Sequence, residues 1–127
     1  MNDDERRDEG MRVRREGLGD EHVDAAVARI TTSTADFQDL ITRVAWAEIW
    51  GRSGLDRRSR SVAVLSSLIA LGHHEEFEMH VRAALRNGLT RDEIVEVILQ
   101  SAVYAGVPAA NTAFRIAQPI LDRSETP

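Results

Sequence analysis

The chain has 127 residues, 43% of them apolar, and a net charge of −5, which fits one domain with a modest core and gives no electrostatic basis for holding nucleic acid or an anionic membrane. All 16 basic residues are arginine and there is no cysteine; lysine Schiff bases, disulfides, thiol nucleophiles and thiolate metal sites are therefore excluded. The N-terminus MNDDERRDEG carries no apolar leader and no apolar run nears the roughly 18 residues of a membrane span, so a cytoplasmic location is expected. The arginines themselves are planar cations matched to carboxylates, although a GC-rich coding sequence would give the same bias.

Residues 2–17 are mostly charged, with Met11 and Val13 as sparse apolar positions. The pattern predicts a helix that buries little alone and would dock on a neighbouring subunit, ended by Gly17 and Gly19. His22 to Ile30 predicts a short amphipathic helix with Val23, Ala26, Val27 and Ile30 on one side. Thr34 is the expected N-cap of a helix running to about Arg52. Trp46 and Trp50, four apart, share a face there; they form either core or subunit packing, or an aromatic wall for a flat ligand. Glu48 lies off that face, four before Arg52, in the favourable order for an ion pair.

Gly54 breaks the chain and Asp56 can cap the next helix. Arg57, Arg58 and Arg60 fall in its first turns, where the helix dipole disfavours cations. Either they are exposed and offset by surplus acid, or something anionic lies near them: a carboxylate ligand or acidic side chains. Val62 to Leu71 is apolar or small on all sides, which predicts a central buried helix.

The stretch from His73 to Asn111 is the most informative. His73, Glu76 and His80 fall on one helical stripe beside Phe77, Val81, Ala84 and Leu85. Glu76 and His80 are within pairing distance at the edge of an apolar surface. A carboxylate beside an imidazole fixes its tautomer and favours its protonated form, which suits a proton donor near neutral pH. A boundary histidine satisfied by its glutamate, or a His-Glu-His metal site, are the alternatives. Thr90-Arg91-Asp92-Glu93 is a capping box. The helix after it is apolar almost all round, hence central or shared with a partner chain. Its one polar line, Glu96, Gln100 and Tyr104, either borders a cavity or faces solvent. Pro108 opens the last helix, and Pro119 predicts a kink or an early end.

These motifs together carry a resemblance. Gly10-Met11-Arg12-Val13-Arg14-Arg15, Leu18 to Val23, Trp46 with Trp50, Arg57 and Arg60-Ser61, Glu76 with His80, Asn87-Gly88, Thr90 to Ile94 and Tyr104 to Asn111 resemble the carboxymuconolactone decarboxylase family over nearly the whole chain. The resemblance implies one domain over 1–127, with a helical arm at 1–20 and a core at about 34–122. It implies an all-α, alkyl hydroperoxidase D-like helical bundle assembled as a homo-oligomer, a trimer or hexamer. It implies cofactor- and metal-free decarboxylation of 4-carboxymuconolactone, a small lactone dicarboxylate of protocatechuate breakdown, to the enol-lactone of 3-oxoadipate. The expected catalytic residues are His80, Glu76 and Tyr104; the expected substrate-binding residues are Arg60, Arg57, Trp46, Glu48 and Asn111. Ala105 stands where the family often has cysteine. A sister branch of thiol peroxidases would place cysteines at His73 and Glu76, so that chemistry is closed to this chain. The competing readings are action on another lactone or β-keto acid, and a non-catalytic helical oligomer.

Overall fold

The computed structural model describes residues 1–124; the last three residues of the expected domain, 125–127, lie outside them. Among the described residues every regular element is helical, and no helix is long and apolar enough to cross a membrane. The chain groups into two compact units, Met1–Asp56 and a second from Arg57 onward. The boundary falls inside the core expected at 34–122.

In the first unit, α1 spans Asp3–Leu18 and α2 Asp20–Ala28; α3, Ala35–Leu40, continues directly into a π-helix, Ile41–Trp50. Asn2 caps α1 by accepting the Glu5 amide at 2.8 Å. Gly17 lies inside α1, and Gly19 ends it at φ 92°, a left-handed conformation that strains any residue with a Cβ. The buried positions of α1 are Gly10, Val13, Arg14 and Gly17, one stripe at i, i+3, i+4, i+7. Two of the four are glycine, which lets backbones approach closely. A Cβ at Gly10 would sit 1.9 Å from the Thr42 carbonyl oxygen. The helix expected to seek a neighbouring subunit thus docks on the π-helix of its own chain.

Three other expectations for this unit are revised. Thr34 does not cap α3 with its side chain; its hydroxyl accepts the Thr31 amide at 2.9 Å instead. Val23 alone is buried in α2, while Val27 and Ile30 are 41% and 38% exposed. The single helix to Arg52 changes winding at Ile41, with a bond from the Gly51 amide to the Trp46 carbonyl, 3.0 Å long, closing an i→i+5 turn. Runs of this winding are rare and cluster at functional sites.

Charge ties α1 to the segment it packs on. Asp39 accepts from Arg7, and from Arg43 at 2.7 Å. The Arg7 hydrogen bond, then that of Arg43, holds the Asp39 carboxyl at about 2, below its ordinary 3.8. A carboxyl depressed in the folded state adds stability that is complete above its unfolded value and lost as pH falls through the folded one. Asp39→Asn should therefore be less stable than wild type above about pH 4, with the difference closing towards pH 2. Paired thermal melts across that range measure it; a gap independent of pH would show that the carboxylate contributes no charge-linked stability.

In the second unit, α4 spans Arg57–Leu71, α5 His74–Arg86, α6 Arg91–Tyr104 and α7 Val107–Ser124. Each presents one stripe to a shared core: Leu65 and Leu68 from α4, Phe77 and Val81 from α5, Ile94 and Ile98 from α6, and Ala113, Ala117 and Leu121 from α7. Each large side chain so buried contributes about 1.5–3 kcal/mol. The all-round burial expected of α4 is not found, and α6 is not buried on all sides within this chain. In α4 only Ser61, Leu65, Leu68 and Ile69 are buried. In α6 only Ile94, Ile98 and Ser101 are, and Leu99 and Val103 are 55% and 79% exposed. Pro119 neither ends nor interrupts α7, which continues to Ser124.

The α5–α6 turn is tied down by its own capping residues and by side chains of α4. The capping box forms in full: Thr90 Oγ1 accepts the Glu93 amide at 3.1 Å and Glu93 Oε1 accepts the Thr90 amide at 2.8 Å. Arg58 donates to the Gly88 carbonyl and to Glu93 Oε2. Asn87 Nδ2 donates to Ser61 Oγ at 3.2 Å. Gly88, at φ 103°, turns the chain beneath the Arg58 side chain.

Candidate functional site

The arginine cluster at the start of α4 divides in two. Arg58 is held by Glu93 and the Gly88 carbonyl, so acidic side chains answer at least part of the charge that the helix dipole disfavours. Arg57 and Arg60 lie three apart on one side of the same turns and are both half-buried.

His80 is 8% exposed, deeper than the boundary position its spacing implied. It shares the inward stripe of α5 with Phe77 and Val81, which are 1% and 0% exposed. Glu76, one turn earlier, is exposed. Glu76 and His80 therefore lie on opposite sides of the boundary between solvent and core along one helix. Among the described residues no cluster of three or more His, Cys, Asp or Glu is placed to hold a metal ion, the His73, Glu76 and His80 stripe included.

A cavity of about 460 Å³ opens between α4 and α6. Val62, Ser66, Ser67 and Ala70 line it from α4; Glu96, Val97, Gln100, Ser101 and Tyr104, with Ala105, line it from α6 and its end. The polar line Glu96-Gln100-Tyr104 thus borders a cavity. Ser66, Ser67 and Ser101 are cavity residues that sequence reasoning missed, because serines inside an apolar helix carry no distinguishing pattern. Tyr104 is the one member of the expected site set that lines this cavity; His80, Glu76, Arg57, Arg60 and Asn111 are not among its lining residues. Among the described residues that line it, Glu96 is the only charged side chain. A carboxylate with no cation beside it repels an anion, so the cavity by itself is unsuited to a dicarboxylate. Asn111 lies exposed on α7.

The remaining expected residues belong to the first unit. Trp46 is 5% exposed and stacks on Trp50 with ring centroids 5.2 Å apart and planes at 25°, which is packing within the π-helix. Glu48 accepts from Arg6 Nε at 3.0 Å. This contact reaches α1; Arg52, four residues on, lies beyond the end of the π-helix at Trp50. Arg14, which entered the sequence reading only as part of a motif, is buried at 7% exposed.

Comparison with known proteins decides the family. The profile described as "CMD: Carboxymuconolactone decarboxylase family" matches residues 35–119. The chain belongs to the carboxymuconolactone decarboxylase family. A 4-carboxymuconolactone decarboxylase of Acinetobacter baylyi is 43% identical over 120 residues, covering 94% of this chain and 90% of the relative. The nitrosuccinic acid decarboxylase npaB of Metarhizium robertsii is 41% identical over 111 residues, covering 87% of this chain and 78% of its own length. A 4-carboxymuconolactone decarboxylase of Pseudomonas putida is 44% identical over 43 residues, 34% of this chain and 90% of that sequence. At the α6–α7 junction of this family member, Ala105 is the α6 C-cap and Val107-Pro108 open α7.

Proposed function

We propose that this protein is a cofactor-independent carboxy-lyase that converts 4-carboxymuconolactone to the enol-lactone of 3-oxoadipate and CO2. The observation that carries the reading is 43% identity to the Acinetobacter baylyi enzyme across 94% of the chain. The chemistry asks little of the protein. When the carbon–carbon bond to the carboxylate breaks, its electron pair moves through the ring alkene into the lactone carbonyl. The resulting dienolate is then protonated on carbon. The lactone is its own electron sink.

What remains is grip, an apolar setting and a proton. Arg60 and Arg57, half-buried together at the start of α4, are assigned the carboxymethyl carboxylate as planar cations matched to it. The Phe77 face of α5 supplies the low-polarity surroundings that favour neutral CO2 over the carboxylate. His80 is assigned the proton, with Glu76 orienting it and Tyr104 as second donor. A homo-oligomer, trimer or hexamer, of alkyl hydroperoxidase D-like subunits in the cytoplasm is part of the same proposal. Its support is the exposed apolar edge at Leu99, Val103, Tyr104 and Val107, of the kind that marks association surfaces.

The similarity to a nitrosuccinic acid decarboxylase favours one second reading, in which the same scaffold removes CO2 from another acid whose own substituent takes up the electrons. An absorbance assay offered 4-carboxymuconolactone and nitrosuccinic acid in parallel separates the two, and activity on neither overturns both. Within the first reading, Arg60→Met should raise KM by about tenfold or more with kcat little changed. An effect confined to the melting temperature would assign Arg60 to packing instead.

A further inference from the structure

Arg14 is a buried charge that the proposed chemistry does not use. Five arginines lie on α1, and four of them reach carboxylates. Arg6 contacts Asp3 and Glu48 at 2.9 and 3.0 Å. Arg7 contacts Asp4 at 2.8 Å, and Asp39. Arg12 contacts Glu9 and Glu16. Arg15 contacts Asp20 and Asp24 at 3.1 and 2.9 Å. These four range from half-buried to exposed. Arg14, the deepest of the five, meets only neutral oxygens: Gln38 Oε1, at 3.2 Å from both terminal nitrogens, and Thr42 Oγ1 at 3.5 Å. Its Nε is buried and has no hydrogen-bond partner among the described residues. Burial pushes its pKa down, with no carboxylate to push it back.

This inverts ordinary practice. A guanidinium taken out of water normally carries its counter-charge with it, because neutral acceptors do not repay the lost hydration. In a chain with 21 acidic residues, and with every other α1 arginine already paired, an amide and a hydroxyl are conspicuous partners. Gln38 is a carboxamide where a glutamate of the same shape would close the pair internally. Thr42 stands in the first turn of the π-helix, a winding that marks functional segments. Two of the five guanidinium N–H donors are unused by the three contacts above.

We propose that Arg14, framed by Gln38 and Thr42, is a subsite for a carboxylate group, kept without an internal counter-ion so that a small organic acid supplies one. The carboxylate comes either from the substrate, in which case Arg14 takes the carboxymethyl group assigned above to Arg60 and Arg57 and the proposal rests on the decarboxylase reading, or from a separate organic acid; the chemistry is the same.

Succinate is the probe. The melting temperature of the full chain is followed against succinate and against sodium chloride at matched ionic strength, for wild type, Arg14→Met and Gln38→Glu. Wild type should be stabilised by succinate beyond the salt control, and both variants should lose that response, with apparent affinity down about tenfold or more. Gln38→Glu should also melt higher than wild type without ligand, since it provides the missing charge in place. That variant keeps the test decisive if Arg14→Met fails to fold. No succinate-specific shift in wild type, an equal shift in both variants, or a Gln38→Glu chain no more stable than wild type would each overturn the subsite. None of these readouts needs turnover, so an inactive wild type would sink the decarboxylase reading alone. Given activity, a raised KM for the lactone in Gln38→Glu assigns the subsite to the substrate; an unchanged KM with the succinate response lost assigns it to a separate acid. Both support it.

Discussion

Replacing His80 by Gln is expected to lower kcat for the lactone by about 10²–10⁴ while leaving the helical fold in place. Glutamine keeps hydrogen-bonding capacity in a side chain that is 8% exposed, so the buried position stays occupied by a polar group and little cavity opens. What it cannot do is deliver a proton and take it back near neutral pH. The measurement is steady-state decarboxylation with circular dichroism and a thermal melt on the same preparation. A kcat within twofold of wild type would remove His80 from the chemistry. Tyr104→Phe is the natural companion, because Tyr104 lines the cavity between α4 and α6 and His80 is not among its lining residues. A large loss in Tyr104→Phe with none in His80→Gln would move the chemistry to that cavity. The opposite result would leave the cavity as a feature of the scaffold.

The second large effect is mechanical. Gly10→Ala should destabilise the first unit by about 3 kcal/mol or more, at or beyond the upper end of ordinary overpacking. The added methyl would lie 1.9 Å from the Thr42 carbonyl oxygen and 2.8 Å from its carbon. Both are backbone atoms, so no side-chain rotation relieves the clash and α1 must move off the π-helix. Movement would also strip Val13 of its burial and disturb the Arg7–Asp39 and Arg6–Glu48 pairs. Chemical denaturation and limited trypsinolysis, which would cut at the arginines of α1 once it loosens, test this. A variant as stable and as protease-resistant as wild type would show that α1 does not depend on this close approach.

The sequence made local structure legible wherever one residue's chemistry forces it. The Thr90–Glu93 box was read from four letters because both of its bonds are internal to those four residues. Gly19 was read as a terminator because left-handed backbone excludes other residues, whereas Gly17, read the same way, lies inside α1. Spacing also placed Glu96, Gln100 and Tyr104 on one line and left open what they faced. What it could not supply was the partner across space. Nothing in α1 announces Thr42, so its docking partner was sought on another subunit. The π-helix was invisible because its composition, Ile41 to Trp50, suits an α-helix equally well. Glu48 was assigned to Arg52 because spacing pairs residues along one helix and says nothing of Arg6 on α1. The apolar run of α4 was read as buried all round because composition counts apolar residues without saying which face meets the core. At the site, residue types and family motif proposed His80, Arg60 and Arg57, while the burial of Arg14 among neutral partners was a tertiary fact with no trace in letter spacing.

The winding of Ile41–Trp50 also bears on how this region tolerates changes of length. Each residue along an α-helix advances the facing direction by about 100°, so a loss or gain ordinarily spins everything downstream out of alignment. A stretch already wound at i→i+5 holds slack. Shortening it tightens the coil towards α geometry, yet in doing so it re-aims whichever of Thr42, Trp46 and Trp50 lies beyond the excision. Point changes in this decapeptide are therefore matters of fit, whereas an indel is a steering event that decides which way the indole pair points.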